Sequence, residues 1–252
     1  MNTNGQNFVT HMTWHDVRAR LSGGAAAILP VGAGAKQHGL HLPMNTDQIQ
    51  AEWFATKLAC AFDMLVWPTI NYGFYPAFTA YAGSVSLAEA TFESIVRDVV
   101  AGVRACQPRA IFVLNTGLST IDPVDRALAS AWLGQRAHHL KIYLGPHFSA
   151  AHEKVCRQPH GSHADEAETS IMLAIAPGAV DMGRAKASPN LAAAPQPGPL
   201  TPSDKNAPNY SPSGSFGDPV LASAEKGHVL TDAILRDLSA AVSGALEPSM
   251  RT

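Results

Sequence analysis

Cysteine is scarce: the 252 residues hold three, Cys60, Cys106 and Cys156, and no two stand as a C-x-x-C pair. Neither a zinc ribbon nor a redox dithiol is therefore available. Cys60 and Cys106 fall in helical patterns, where a buried thiol behaves as a small hydrophobe. Charge is sparse too, at 15%, and balanced, with 18 basic against 20 acidic residues and a formal net charge of −2. Without a basic surplus there is no footprint for nucleic acid, which is excluded as a partner. No apolar run nears the length of a membrane span. The polar stretch from Met1 to Thr10 lacks the basic-then-apolar plan of an export signal. A soluble, cytoplasmic chain with no membrane partner is expected.

What is present is apolar material for a core, at 46%. A chain of this length is expected to form one domain over residues 1–252. Short apolar runs at Ala25 to Val31, Met64 to Trp67, Ala110 to Leu114 and Leu140 to Leu144 read as buried strands. Between them lie helical patterns. The clearest runs from Leu87 to Cys106, with Phe92, Ile95, Val96, Val99 and Val103 on one face. Ser86 and Glu89 form a capping box at its start, and Pro108 follows its end. Another helix begins at Asp122, with Pro123 at its first position. Strands separated by helices imply a layered α/β fold, a mainly parallel central sheet flanked by helices. Ligands in such sheets bind at the carboxyl ends of strands.

The stretch from Ala185 to Gly217 breaks the alternation with seven prolines, at 189, 195, 197, 199, 202, 208 and 212. Its first half reads as a flexible loop, and Asn209 to Asp218 as a segment returning to the site.

Polar chemistry is densest at Lys36-Gln37-His38-Gly39-Leu40-His41-Leu42-Pro43, followed by Asn45, Thr46 and Asp47, directly after the first strand. Two imidazoles and a carboxylate so close together have the composition of a metal site, although either histidine could equally be a satisfied core residue. In a helix from Thr46, Asp47 shares the stripe of Ala51, Phe54, Leu58 and Phe62, where a carboxylate needs a partner. Alternatively it serves the helix dipole. Glu168 lies likewise on the stripe of Ile171, Met172 and Ile175 and points inward, toward a cation or a metal, while Asp165 and Glu166 stay solvated. His138 and His139 read as lying near a helix end. Ser119 and Ser162 lack the setting of a hydrolase nucleophile.

Here the sequence resembles the creatininase family, whose first signature reads approximately P-x-G-S-x-E-Q-H-G-x-H-L-P-x-x-T-D. Pro30 to Asp47 matches it, with the glutamine, both histidines, Leu-Pro and Thr-Asp in place. The resemblance continues through Asn71-Tyr72-Gly73, Ala82-Gly83-Ser84, Asn115, His163-Ala164 with Glu168-Thr169-Ser170, and on to Gly217-Asp218-Pro219 and Ala224 to Gly227. It implies a layered α/β fold, homo-oligomers, two divalent metals and hydrolysis of cyclic amides or related C–N bonds. Carried over, it gives His38, Asp47 and Glu168 as metal ligands. Two positions depart. Lys36 stands where the signature has glutamate, and Asn115-Thr116-Gly117 lacks the histidine of the family's N-G-H.

Those departures imply one zinc or manganese per chain, with Lys36 in place of the other ion. Lys36 then stabilises an oxyanion, His163 shuttles a proton, and His41 orients His38 or Asp47 from behind. Asp122 reads as a helix N-cap rather than a substitute ligand. The leading expectation is a metal-dependent hydrolase acting on a small-molecule substrate. Two alternatives stand beside it: a pseudoenzyme that binds a small ligand, and an isomerase or C–C hydrolase assisted by Lys36.

Overall fold

The computed structural model describes residues 7–129, 137–189, 191, 196 and 198–247. Among them four strands form one wholly parallel sheet: β1 (Ala26–Val31), β2 (Met64–Val66), β3 (Ile111–Asn115) and β4 (Ala137–Lys141), in the order β2-β1-β3-β4. Ala26 lies opposite Met64, Ala27 opposite Ile111, and Ile111 opposite Ala137. Seven helices accompany them: α1 (Trp14–Ser22), α2 (Thr46–Phe62), α3 (Glu89–Ala105), α4 (Ile121–Ala129), α5 (Pro146–Val155), α6 (Glu166–Ile175) and α7 (Ala224–Leu246). The architecture is layered α/β, as the alternating sequence pattern requires.

Strand alternation sorts the core into two layers. Ile28, Phe112, Leu114 and Leu140 face Phe54 and Leu58 of α2, Ile171 of α6 and Leu230, Ile234 and Leu238 of α7. Ala27, Leu29, Val31, Ile111 and Val113 face Phe92, Val96, Val100 and Val103 of α3 and Val124 of α4. β1 and β3 are buried along their whole length, which explains their continuous apolar runs. The chain leaves β1 toward β2 on one side and β3 toward β4 on the other. The loops after β1 and β3 therefore diverge, leaving a crevice at the carboxyl edge.

Several local expectations need correction. β4 starts at Ala137 instead of Leu140, so His138 and His139 are strand residues. His138 stacks on Phe112, and His139 Nδ1 lies 2.7 Å from Asp125 of α4, while its buried Nε2 has no partner. Leu144, the end of the apolar run, is exposed. No capping box opens α3, because Ser86 Oγ accepts the Tyr75 N–H instead. Asp122 is an exposed first-turn residue of α4 and not its cap. Cys60 and Cys106 are exposed. Within the proline-rich stretch, residues 190, 192–195 and 197 lie outside the described residues. The described part is anchored: Ser188 donates to Gly217, Leu200 to Ala77, and Ser211 to Thr201, while Ser188 and Leu200 are buried. No described helix is long and apolar enough to cross a membrane.

Candidate metal centre

The first arm of the centre is the loop after β1. Its backbone doubles back, Lys36 N–H donating to Met44 O and His38 bridging Leu42. The turn at Gly39 has φ +70°, and a Cβ there would meet Ser215 Oγ at 2.6 Å, so glycine is required on both counts. Gln37 ties this loop to the remote strap, donating to Gly214 O at 2.9 Å and accepting the Gly39 N–H at 2.8 Å. The second arm is the entry to α6. Asp165 caps that helix by accepting the Glu168 N–H at 2.9 Å. Ala164 adopts φ +46° and donates to Glu168 Oε2 at 2.7 Å. His163 is fixed by a bridge to Phe216.

These arms bring His38, His163 and Glu168 together, all buried, with one donor atom from each within 4.8 Å of the others. The tautomers are set from behind. His38 Nδ1 lies 2.8 Å from Lys36 O and His163 Nε2 lies 2.8 Å from Gln37 O. A carbonyl only accepts, so each of those nitrogens carries its proton. Burial, with His38 and Lys36 beside it, pushes His163 well below the usual imidazole range. The ring is therefore neutral near pH 7, and its Nδ1 lone pair faces Glu168 Oε2 at 3.9 Å. His38 Nε2 faces Glu168 Oε1 at 3.8 Å and Asp47 Oδ1 at 3.1 Å. Imidazole nitrogens aimed at carboxylates, with their other N–H groups held by carbonyls, suit a divalent ion.

Asp47 and Lys36 form the other half of the cluster. Asp47, in the first turn of α2, is buried on the stripe of Ala51, Phe54 and Leu58. Lys36 Nζ lies 2.7 Å from its Oδ2, outside hydrogen-bonding alignment, so that oxygen has an ion-pair partner but no aligned donor. Burial opposes the charge on Asp47, yet Lys36 and His38 prevail and hold its carboxyl well below the usual range. The ammonium also lies 4.8 Å from the Phe78 ring centre and 5.4 Å from that of Tyr75, and only 6% of Lys36 is exposed. Asp47 is thus directed at Lys36 and His38, and the third member of the convergent trio is His163. Gly117, in the loop after β3, brings no side chain, and a Cβ there would meet Thr120 Oγ1 at 2.7 Å.

His41 stands apart from its expected role. Its Nε2 is 2.8 Å from Thr169 Oγ1, and its buried Nδ1 has no partner, so it hydrogen-bonds neither His38 nor Asp47. Burial and the proximity of His38 push it down to about 4. Asp165 and Glu166 are not solvated. Asp165 is consumed as a cap, and Glu166 accepts from Arg157 N, Gln158 N and Lys226. Sequence reasoning passed over Gln50, whose Nε2 donates to Glu168 Oε1 at 3.4 Å and whose Oε1 accepts from Tyr143. Its signal was its place three residues after Asp47, on the same helix face. Lys36, Asp47, His163 and Glu168 open into a cavity of about 630 Å3, also lined by Phe78 and Leu118.

Similarity to known proteins runs the length of this architecture. The family model for creatininase, creatinine amidohydrolase, matches residues 10–242. Creatinine amidohydrolase of Pseudomonas putida is 26% identical over 261 residues, covering 96% of this chain and 98% of that protein. A manganese creatininase structure superposes with a TM-score of 0.79 at 25% identity, covering 96% and 99% of the two chains. A mutant creatininase of Zn–Zn type gives 0.78 at 25% identity, covering 96% and 98%. With its parallel sheet, its polar crevice and a family match over nearly all its residues, this chain belongs to the creatininase family.

Proposed function

We propose that this chain is a metal-dependent amidohydrolase that opens the C–N bond of a small cyclic amide or related carbonyl compound, as a single domain of the family. The observation that supports it most is the convergence of the His38, His163 and Glu168 donors beside a buried ammonium. The donor set fits zinc or manganese, the metals of the related structures. When bound, such an ion acts as a Lewis acid and lowers the pKa of water. Lys36 faces the same space and stabilises negative charge developing on the substrate oxygen. Asp47 positions that ammonium through their ion pair, and the Lys36 and Gln37 carbonyls hold the two imidazoles in register. Phe78, in ring contact with His163, limits water on one side. A cavity of about 630 Å3 accommodates a small molecule. A homo-oligomer in the cytoplasm belongs to the same reading, to be checked by light scattering and fractionation.

The test is elemental analysis of protein purified without chelator, with turnover measured on a panel of cyclic amides that includes creatinine. Glu168→Gln should lose most bound metal and turnover while its far-UV circular dichroism stays unchanged. Full metal content and turnover in that variant would remove Glu168 from the site. Metal without turnover on any amide would favour a small-ligand-binding protein. The Lys36-assisted isomerase is the weaker reading, because the Asp47 ion pair holds Lys36 as a fixed charge instead of a free nucleophile.

A further inference from the structure

We infer that the Lys36 ammonium occupies the place of a second cation, so that the centre holds one divalent ion where a relative of Zn–Zn type holds a pair. The inference rests on the metal-dependent reading above and concerns how many ions the site accepts. Asp47 and Glu168 bring two buried carboxylates, and Lys36 returns one positive charge. Asp165 stays out of this count, since its oxygens serve the Glu168 N–H and Gln158. His163 enters as a ligand through Nδ1, with its Nε2 proton held by Gln37 O. One divalent ion turns the remaining single negative charge into a single positive one, suited to a developing oxyanion. Two ions beside the ammonium would leave three uncompensated positive charges in a crevice walled by Phe78 and Tyr75.

Geometry points the same way. Asp47 Oδ2, the oxygen facing away from His38, is the one Lys36 Nζ approaches at 2.7 Å. The ammonium is not a surface charge folded inward by chance. It is buried, backed by two aromatic rings, and carried by a residue whose backbone N–H is fixed to Met44 O. The neighbouring loop supplies nothing to compete with it, since Gly117 has no side chain and the Asn115 amide is spent on the Gly117 backbone. An ion on the far side of Asp47 would find the ammonium in its way. The trio of His38, His163 and Glu168 lies on the near side and remains open to one ion.

Zinc titration of the chelator-stripped chain, read by equilibrium dialysis with elemental analysis, tests this. The unaltered chain should saturate at one zinc. Lys36→Glu alone should still saturate at one, because Gly117 brings no imidazole, whereas Lys36→Glu with Gly117→His should saturate at two, and zinc should raise the Tm of that pair more than it raises that of the unaltered chain. If that pair folds only with metal present, refolding in zinc gives the same count. Lys36→Gln removes the charge alone and should bind the first zinc about tenfold more tightly, because like-charge repulsion is relieved. Two zinc ions in the chain with Lys36 intact would overturn the inference and leave the metal reading standing. A single zinc in the folded pair Lys36→Glu with Gly117→His, or an unchanged affinity in Lys36→Gln, would overturn it equally. No zinc in the unaltered chain would overturn the metal reading and this inference together.

Discussion

Replacing Lys226 with methionine should unfold the α6–α7 junction disproportionately for a single change outside the cavity. Glu166 is fully buried, and its Oε2 accepts the Arg157 and Gln158 N–H groups at 2.7 and 2.8 Å. Its Oε1 depends on Lys226, whose ammonium also donates to Leu221 O at 2.6 Å. Methionine keeps the volume of the stem and removes the charge, leaving a carboxylate in a dry pocket with two backbone donors. Breaking one side of such a pair costs about 3–5 kcal/mol. For a chain of this length that corresponds to a fall in Tm of roughly 6–20 °C. Urea unfolding followed through the half-buried Trp53 and Trp67 measures the loss. Adding Glu166→Gln should recover much of it, since the orphaned charge is gone, and the double-mutant cycle isolates the coupling. Glu166 and Glu168 share the first turn of α6, so the single variant should also hold metal less tightly. A loss below about 1 kcal/mol would class the pair with exposed salt bridges and refute the reasoning.

Asp237→Ala should remove a cap that α7 lends to α5, where Asp237 accepts the His147 and Phe148 N–H groups at 3.1 and 2.8 Å, at a cost of about 1 kcal/mol. Burial opposes the Asp237 charge, but those donors and the His147 ring outweigh it and lower its pKa, so its stabilisation is full above the unfolded value near 3.9 and fades as pH falls through the folded one. Acid-unfolding curves of the two proteins should accordingly converge at low pH, and a constant gap would contradict the assignment. Gly227→Ala should destabilise by about 1–3 kcal/mol despite the better helix propensity of alanine, because its Cβ would meet Ser170 O at 1.9 Å where α6 and α7 cross; a raised Tm would show that the crossing is looser than described.

Periodicity made the frame legible. β1, β2, β3, α2 and the core face of α3 follow from apolar spacing alone, because the sheet buries both faces and α3 only one. The inward aim of Glu168 was readable for the same reason, whereas for Asp47 the stripe left service to the helix dipole equally open, and its burial decides between them. The start of β4 escaped because histidines on an edge strand can lean on other elements, and Asp125, which pairs with His139, lies on one of them. Burial of Asp165 and Glu166 was invisible for a related reason. Their partners include Gln158 and the distant Lys226, and the spacing of residues within α6 carries no trace of either. The convergence of His163 with His38 depends on a strap whose proline-rich sequence has no period to read.

That strap has a consequence for the order in which the molecule assembles. Gln37 reaches Gly214 across 177 positions, His163 is bonded to Gln37 across 126, and His41 to Thr169 across 128. The paired strands end at Lys141, but one face of the sheet stays uncovered until Ile171 of α6 and Leu230, Ile234 and Leu238 of α7 reach it. The two imidazoles meet only after the last third of the chain has been made and has threaded back, with Phe216 laid beside His163. A chain emerging from the ribosome should therefore pass through a collapsed form with a finished sheet and no centre. Metal would be captured late, as the event that closes the molecule, and a chain cut before Gly214 would lose both the α7 cover of its sheet and its grip on the ion.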